Sequence, residues 1–193
     1  YLGGVSLSAS DDGGRSWWEG DAAEGIHVDH HALWIDPSDS EHLVLGSDGG
    51  VASSWDGART WEHHDNLPIG QFYEIGTDDS DPYRVCGGLQ DNSSWCAPTR
   101  ILEERSVYRT DRELGVMNRD WFDVWGGDGF YNEFEPGNPD ILYTESQGGN
   151  LGRVSLPTGE SWRIRPLARP PREGEEAEYA FNWNTPVVPS VHT

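Results

Sequence analysis

The chain has 193 residues, with 34 acidic and 13 basic side chains and a formal net charge of −21. A surface this acidic repels phosphate backbones, which excludes nucleic acid as a favoured partner. Ten Trp and seven Tyr residues argue against intrinsic disorder, and no apolar run in the sequence is long enough to span a membrane.

Short strand-like segments separated by turn residues follow one another along the chain. The first complete unit reads as strands at 32–37, 42–46 and 51–53, and similar units begin near residues 72, 131 and 181. No segment has the sustained 3.6-residue periodicity of an amphipathic helix. The sequence therefore predicts an all-β fold of four-stranded units in series, which bury their faces by stacking on one another.

An acidic residue closes the first strand of three of these units. These residues are Asp36, Asp78 and Glu135, with spacings of 42 and 57 residues. The longer spacing holds a charged insertion at about 99–118, with a weak signal for a short helix.

Two turns share one pattern of residues. Ser10–Trp17 fits S-x-D-x-G-x-[ST]-W, and Ser54–Trp61 repeats it with Ala58 in the glycine position. Trp17 and Trp61 are 44 residues apart, which matches one blade of a propeller at roughly 40–50 residues. The repeat predicts a β-propeller of four-stranded blades, of which about three to four are present, with a sandwich as the structural alternative.

A ring of usual size needs more blades, so we expect the chain to be part of one propeller domain of a longer protein. The expected divisions are the end of a blade at 1–26, a blade at 27–65, a blade with the insertion at 66–125, a blade at 126–167, and a flap with the start of the next blade at 168–193.

The two turns resemble Asp-box (BNR) repeats, which occur in sialidases, xyloglucanases and sortilin-type propellers. Five longer phrases resemble a group of large bacterial exported proteins described as glycosyl hydrolase-like or sortilin N-terminal-like: 27–37, 66–73, 87–92, 126–130 and 181–186. The resemblance implies that each such turn joins the third and fourth strands, on the face opposite the active site. It implies a structural role for Asp12, Asp56, Trp17 and Trp61, with both indoles packed into the blade.

Three carboxylates are candidate catalytic residues: Asp128, which we place first, then Asp91 and Asp48. In a four-stranded blade, the loop before the first strand and the turn after the second strand lie on one face, and these residues occupy such positions. Glycoside hydrolysis needs two carboxyl groups across the sugar. The same residues could instead bind calcium or cap glycine-rich turns.

Other polar and aromatic residues on the same loops are candidate substrate-binding residues. They are His27, Asp29, His30, Gln71, Tyr73, Gln90, Asn92, Gln147, Asn182 and Asn184.

The segment 27–31 is the densest polar cluster. In an extended chain His27, Asp29 and His31 point to one side, as two imidazoles and a carboxylate that could hold a transition metal. There are two alternatives. These side chains could hydrogen-bond within the loop and brace the neighbouring blade, or they could bind substrate and take part in acid–base catalysis. We expect no bound cofactor, with calcium or a transition metal as the weaker possibility.

Cys86 and Cys96 flank a glycine-rich turn, so paired strands could bring them into a disulfide, with two buried thiols as the alternative. A disulfide indicates an oxidising compartment. Together with the resemblance to exported proteins, it predicts a secreted or periplasmic protein.

Two functions fit these features. The first is a propeller that acts on or binds carbohydrate, because the chain has candidate catalytic carboxylates and many aromatic rings on which sugars can stack. The alternative is a non-catalytic, sortilin-like propeller that binds a peptide or protein partner. Sialidase chemistry is disfavoured, because sialidase families use an arginine triad to bind the substrate carboxylate, and the only arginines on these loops are Arg169 and Arg172.

Overall fold

The computed structural model describes residues 1–67, 69–103, 112–166, 172, 174 and 179–191. Its regular structure is β-strand apart from one turn of 3-10 helix, so the predicted all-β class is confirmed. The chain divides into two compact units, Tyr1–Leu67 and Pro68–Thr193. Among the described residues, no helix has the length and apolar character needed to cross a membrane.

Unit 1 contains one four-stranded antiparallel sheet, sheet 1. Its strands are β1 (His30–Asp36), β2 (Asp39–Ser47), β3 (Gly50–Ser54) and β4 (Glu62–His63), hydrogen-bonded in that order. The Ser54–Trp61 turn joins the third strand to the fourth, which is the position implied by the resemblance.

The core of unit 1 joins Leu45 of β2 to small and apolar residues that precede the sheet. The buried members are Leu7, Ala9, Ala22, Ala23 and Leu45, and Trp18, Ile26, Leu33 and Trp61 pack against them. The indole Nε1 of Trp61 donates to the carbonyl of Ala22 at 2.7 Å. Trp17 is 47% exposed, contrary to expectation, because its neighbour Trp18 contacts the core instead.

Unit 2 contains two four-stranded antiparallel sheets and a strand pair. Sheet 2 consists of β5 (Phe72–Thr77), β6 (Arg84–Leu89), β7 (Ser94–Pro98) and β10 (Phe122–Trp125), in the order β10-β7-β6-β5. Sheet 3 consists of β11 (Gly129–Glu135), β12 (Asn138–Ser146), β13 (Asn150–Ser155) and β14 (Ser161–Arg163), in sequence order.

The insertion predicted at about 99–118 lies between the third and fourth strands of sheet 2. It carries the antiparallel pair β8 (Ile101–Glu103) and β9 (Arg112–Leu114), and the 3-10 turn Asn118–Asp120 follows it. Residues 104–111 of the insertion lie outside the described part. The described part of the insertion contains no α-helix, and the weak helix signal falls in part on the residues that lie outside it.

Sheets 2 and 3 pack against each other, with β11 against β5 and β6. A methyl group on Gly76 would lie 1.7 Å from the carbonyl oxygen of Asn132, and one on Gly88 would lie 2.1 Å from the carbonyl carbon of Gly129. Two glycines therefore allow backbone to meet backbone between the sheets. The side-chain amide of Asn132 also donates to Ser94 Oγ across this interface at 3.2 Å.

The shared core of these sheets contains a disulfide between Cys86 and Cys96. These residues face each other in the β6–β7 register, with their Cα atoms 4.1 Å apart. Phe134, Leu142 and Val154 of sheet 3 are buried in the same cluster. The disulfide therefore lies inside the hydrophobic core rather than at a loop.

An acidic side chain organises the turn after the first strand of each sheet. Asp36 accepts the backbone N–H and the hydroxyl of Ser38 at 2.8 and 2.7 Å. Asp78 accepts hydrogen bonds from Ser80 and Arg84, and Glu135 accepts them from an amide and a phenol on β12. The regular spacing of these acidic residues in the sequence therefore arises because the same kind of turn recurs in each sheet.

The C-terminal segment 179–191 contains no strand in the described residues. It contacts the β12–β13 turn, where the N–H of Gly148 donates to the carbonyl of Trp183 at 2.9 Å. The predicted flap and blade start at 168–193 include residues 168–171, 173, 175–178, 192 and 193, which lie outside the described residues.

Candidate functional site

The predicted site residues lie at one end of each sheet, where the first strand begins and the second strand ends. In sheet 1, the N–H of Asp48 donates to the carbonyl of Asp29 at 3.3 Å. In sheet 3, the N–H of Gln147 donates to the carbonyl of Asp128 at 3.1 Å. The antiparallel pairing of the first two strands thus brings together the loop before one strand and the turn after the next.

Asp128 is buried and braces its neighbours. It is 7% exposed, and its Oδ1 accepts the backbone N–H of Asp91 at 2.8 Å. Its own N–H donates to Oε1 of Gln147 at 2.9 Å. A carboxylate from the start of β11 therefore holds the turn that follows β6, and brings Asp91 and Asp128 together.

The turn Gln90–Ser93 has an unusual backbone. Asp91 and Ser93 have φ angles of 62° and 68°, a left-handed conformation that non-glycine residues rarely adopt. The N–H of Ser93 donates to the carbonyl of Gly127 at 3.0 Å, and Trp95 Nε1 donates to the carbonyl of Asn92 at 2.7 Å. These bonds, with that from Asp91 to Asp128, hold the turn in its strained shape.

Tyr73 supplies an aromatic surface beside this turn. Its ring stacks on Phe130 with the ring centres 5.2 Å apart and the planes 4° from parallel, and its hydroxyl donates to Oε1 of Gln90. Tyr73 remains 42% exposed, and Gln90 is exposed as well. We call Tyr73, the turn Gln90–Ser93 and Asp128 the mouth cluster of unit 2.

The remaining predicted residues of unit 2 are peripheral to the mouth cluster. Gln71 is exposed directly before β5. The carbonyl of Asn182 accepts the hydroxyl of Thr185 at 3.0 Å, within the segment 179–191. Oδ1 of Asn184 is buried and has no hydrogen-bond partner among the described residues.

Unit 1 has a separate polar cluster at the start of β1. Nε2 of His31 lies 2.5 Å from Oδ1 of Asp48, and the side chain of His31 is 69% exposed. Asp29 has a left-handed φ of 61°. His27 packs on Gly49, where a methyl group would lie 2.3 Å from its Cβ, and its Nδ1 is 3.1 Å from the carbonyl of Val28.

His30 points inward rather than toward a ligand. It is 7% exposed, and neither of its ring nitrogens has a hydrogen-bond partner in the part of the chain that the structure describes. Its backbone N–H donates to the carbonyl of Gly4 at 2.7 Å. Within the described ranges, no three His, Cys, Asp or Glu side chains form a group that could hold a metal ion.

One notable ionisable residue was absent from the predictions. Glu145 of β12 is fully buried, and burial raises its pKa to about 7 against hydrogen bonds from the backbone of Thr185 and Gly149. The signal in the sequence was a glutamate inside an otherwise strand-like run, 141–146. Its burial depends on the distant segment 179–191, which a local pattern does not reveal.

No family model and no curated protein matches this chain.

Proposed function

We propose that the chain forms part of an Asp-box β-propeller that binds carbohydrate through the mouth cluster of unit 2. Three four-stranded antiparallel sheets in series support the propeller. The packing of β11 against the first two strands of sheet 2 supports it as well, because adjacent blades stack in this way around a ring.

The two repeated turns support the Asp-box assignment through their hydrogen bonds. Oδ1 of Asp12 accepts the backbone N–H groups of Arg15 and Ser16, both at 2.9 Å. Oδ1 of Asp56 accepts the corresponding groups of Arg59 and Thr60 at 3.0 and 2.8 Å. The motif thus closes the same turn twice.

One observation carries the carbohydrate proposal: a half-exposed tyrosine ring lies beside an amide and a carboxylate on a rigid turn. The ring of Tyr73 offers a flat surface on which a sugar ring can stack. Gln90, Asp91 and Asn92 provide amide and carboxylate groups for sugar hydroxyls. The strained turn, fixed by Asp128, supplies these groups without a loss of loop entropy on binding.

Glycoside hydrolysis is the catalytic form of this proposal. Its two carboxyl groups in unit 2 are Asp91 and Asp128. Because Asp128 is buried and bonded to the N–H of Asp91, Asp91 is the one to contact substrate, and Asp128 serves first as a positioning residue. Asp48 belongs to unit 1, where it pairs with His31.

Non-catalytic binding of a peptide is the alternative. The observation that favours it is the commitment of Asp128 to the backbone, which leaves its carboxylate less suited to proton transfer. The core disulfide supports export to an oxidising compartment under either function.

The test uses the chain with a panel of neutral polysaccharides and their oligosaccharides, read by binding and by release of reducing sugar. We expect Tyr73→Ala and Asp91→Asn each to weaken binding by about 5- to 30-fold, since each removes a contact of about 1–2 kcal/mol. Asp79→Asn, an exposed carboxylate after the far end of β5, is the matched control and retains wild-type binding.

Turnover that Asp91→Asn abolishes supports hydrolysis, whereas binding without turnover supports a lectin-like role. A chain that binds no polysaccharide but selects peptides from a library supports the alternative. Binding that survives both mouth-cluster substitutions would place the site elsewhere.

A further inference from the structure

A buried carboxyl group lies beneath the C-terminal segment 179–191. Glu145 is 0% exposed. Its Oε1 accepts the N–H of Gly149 at 3.3 Å, and it also receives a hydrogen bond from the backbone of Thr185. The carboxyl group therefore links sheet 3 to a segment that contributes no strand to it.

Other contacts also join this segment to the β12–β13 turn and to the end of sheet 3. The N–H of Gly148 donates to the carbonyl of Trp183, and the ring of Phe181 lies against Gly149, where a methyl group would come within 2.3 Å of it. The guanidinium carbon of Arg165 lies 4.4 Å from the centre of the Phe181 ring. An unfavourable charge at this junction weakens the docking of the segment.

The junction holds two buried acceptors without donors. Oε2 of Glu145 and Oδ1 of Asn184 have no hydrogen-bond partner among the residues that the structure describes. An ionised Glu145 places its charge in a buried site with one oxygen unpaired, which is costly. A neutral Glu145 removes that charge and adds a hydrogen-bond donor.

Other charged groups do not neutralise this site. On the same face of sheet 3 are Glu133 and Arg153, with Arg165 on the side of the segment and Asp128 at the start of β11. None of them is among the causes that set the pKa of Glu145, which are burial and the two backbone hydrogen bonds.

We propose that the segment 179–191 is a proton-dependent strap, docked on sheet 3 while Glu145 is neutral and released as Glu145 ionises. The strap does not depend on which ligand the mouth cluster binds. It makes the end of sheet 3 that carries Gln147 and Asp128 responsive to pH, because the strap contacts the turn that directly follows Gln147.

The direction with pH follows from the two states of the carboxyl group. In a released strap Glu145 has an ordinary pKa of 4.5, and in the docked strap its pKa is about 7. Docking is therefore strongest at and below pH 4.5, weakens as the pH rises, and changes no further above pH 7. Each unit of difference is a factor of ten, so the docking equilibrium falls by about a hundredfold or more across this range.

Hydrogen exchange of backbone amides measures the docking directly. In the wild-type chain, we expect the protection factors of the Thr185 and Gly148 amides, corrected for intrinsic rates, to fall between pH 4.5 and 7. In Glu145→Gln, which keeps the shape and an acceptor oxygen, they stay constant. Glu160→Gln, in the exposed β13–β14 turn, is the matched control and behaves as the wild type.

A carbon-13 titration of the Glu145 carboxyl in the wild-type chain gives a second readout that does not depend on any variant. A midpoint between pH 4.5 and 7 that coincides with the loss of protection at Thr185 and Gly148 supports the strap even where Glu145→Gln fails to fold, whereas a midpoint near 7 with unchanged protection overturns it. A midpoint near 4.5 while the Thr185 amide stays protected overturns the proposal, as does the same pH dependence in Glu145→Gln and the wild type.

Discussion

Replacement of Gly88 by alanine tests the close packing of sheets 2 and 3. The added methyl group would lie 2.1 Å from the carbonyl carbon of Gly129 and 2.2 Å from the backbone nitrogen of Phe130. Ordinary carbon contacts are about 3.5–4.0 Å. The sheets must therefore separate locally by more than 1 Å, because backbone atoms, unlike a side chain, cannot rotate away.

The expected cost comes from overpacking, which is about 1–3 kcal/mol and falls at the upper end where backbone is displaced. The smaller conformational freedom of unfolded alanine returns about 0.4–1 kcal/mol. The net loss of about 2 kcal/mol lowers the melting temperature of unit 2 by about 5–12 °C.

Gly46 provides a matched control, because it occupies the same position in β2 that Gly88 occupies in β6. Gly46 pairs with Ala32 of β1, and Gly88 pairs with Glu74 of β5. In both sheets this pair comes directly after an irregularity in the pairing of the first two strands. A methyl group on Gly46 would meet Ala32 Cβ at 3.7 Å, an ordinary contact. We expect Gly46→Ala to leave unit 1 as stable as before or about 0.5 kcal/mol more stable.

Thermal unfolding followed by hydrogen exchange at the peptide level assigns each transition to its unit. A Gly88→Ala chain whose sheets 2 and 3 melt within 1 °C of the wild type would refute the packing deduced here. The packing would also be refuted if Gly88→Ala and Gly46→Ala lowered the melting temperatures of their own units by the same amount.

Three further substitutions test the bonds that stabilise each unit. Reduction of the core disulfide, or the double change Cys86→Ala with Cys96→Ala, should destabilise unit 2 by about 2–3 kcal/mol, measured by urea unfolding. Arg84→Lys should cost about 1–3 kcal/mol in the same assay, because an ammonium group cannot bond both Asp78 and the carbonyl of Pro139 in β12 as the guanidinium does. Asp56→Asn should lower the melting temperature of unit 1 at neutral pH, with a difference that shrinks as the pH falls from 3.8 to about 2, since hydrogen bonds hold the pKa of Asp56 at about 2 when folded.

Each of these tests has its own control. Reductant should destabilise the wild type, which keeps its thiol volume, and leave the double alanine variant unchanged, and a reductant without effect on the wild type would contradict the first prediction. Arg163→Lys, on an exposed strand residue, should be silent, and equal losses at both arginines would remove the special role of Arg84. A stability difference for Asp56→Asn that persists below pH 2 would show that the charge is not its source.

Local turn chemistry explains why most of the strand pattern was predictable. Asp36, Asp78 and Glu135 each organise the turn after a first strand through bonds within the next eight residues. The partners of each acidic residue lie close to it in the sequence, so the local sequence is enough to predict these turns. The exposure of Trp17 was not predictable, since its neighbour Trp18 has the same chemistry and only the packed core decides between them.

The proximity of Asp91 and Asp128 was also predictable, because strand order places their loops at one end of adjacent sheets. Their roles were not. Whether Asp128 presents its carboxylate to solvent or to the backbone depends on atoms 37 residues away in the sequence. The burial of Glu145 likewise depends on Thr185, which is 40 residues further along.

The two ends that carry the predicted site residues differ in how they satisfy equivalent positions. In sheet 3 the side-chain Oε1 of Gln147 accepts the N–H of Asp128, and the Asp128 carboxylate braces the neighbouring turn. In sheet 1 the equivalent positions are Asp29 and Asp48, but there the N–H of Asp29 donates to the carbonyl of Val5 at 3.0 Å. Asp48 pairs with His31 instead. The same backbone arrangement therefore yields a braced carboxylate in one unit and an imidazole–carboxylate pair in the other, so ligand contacts found for one unit do not transfer to the other.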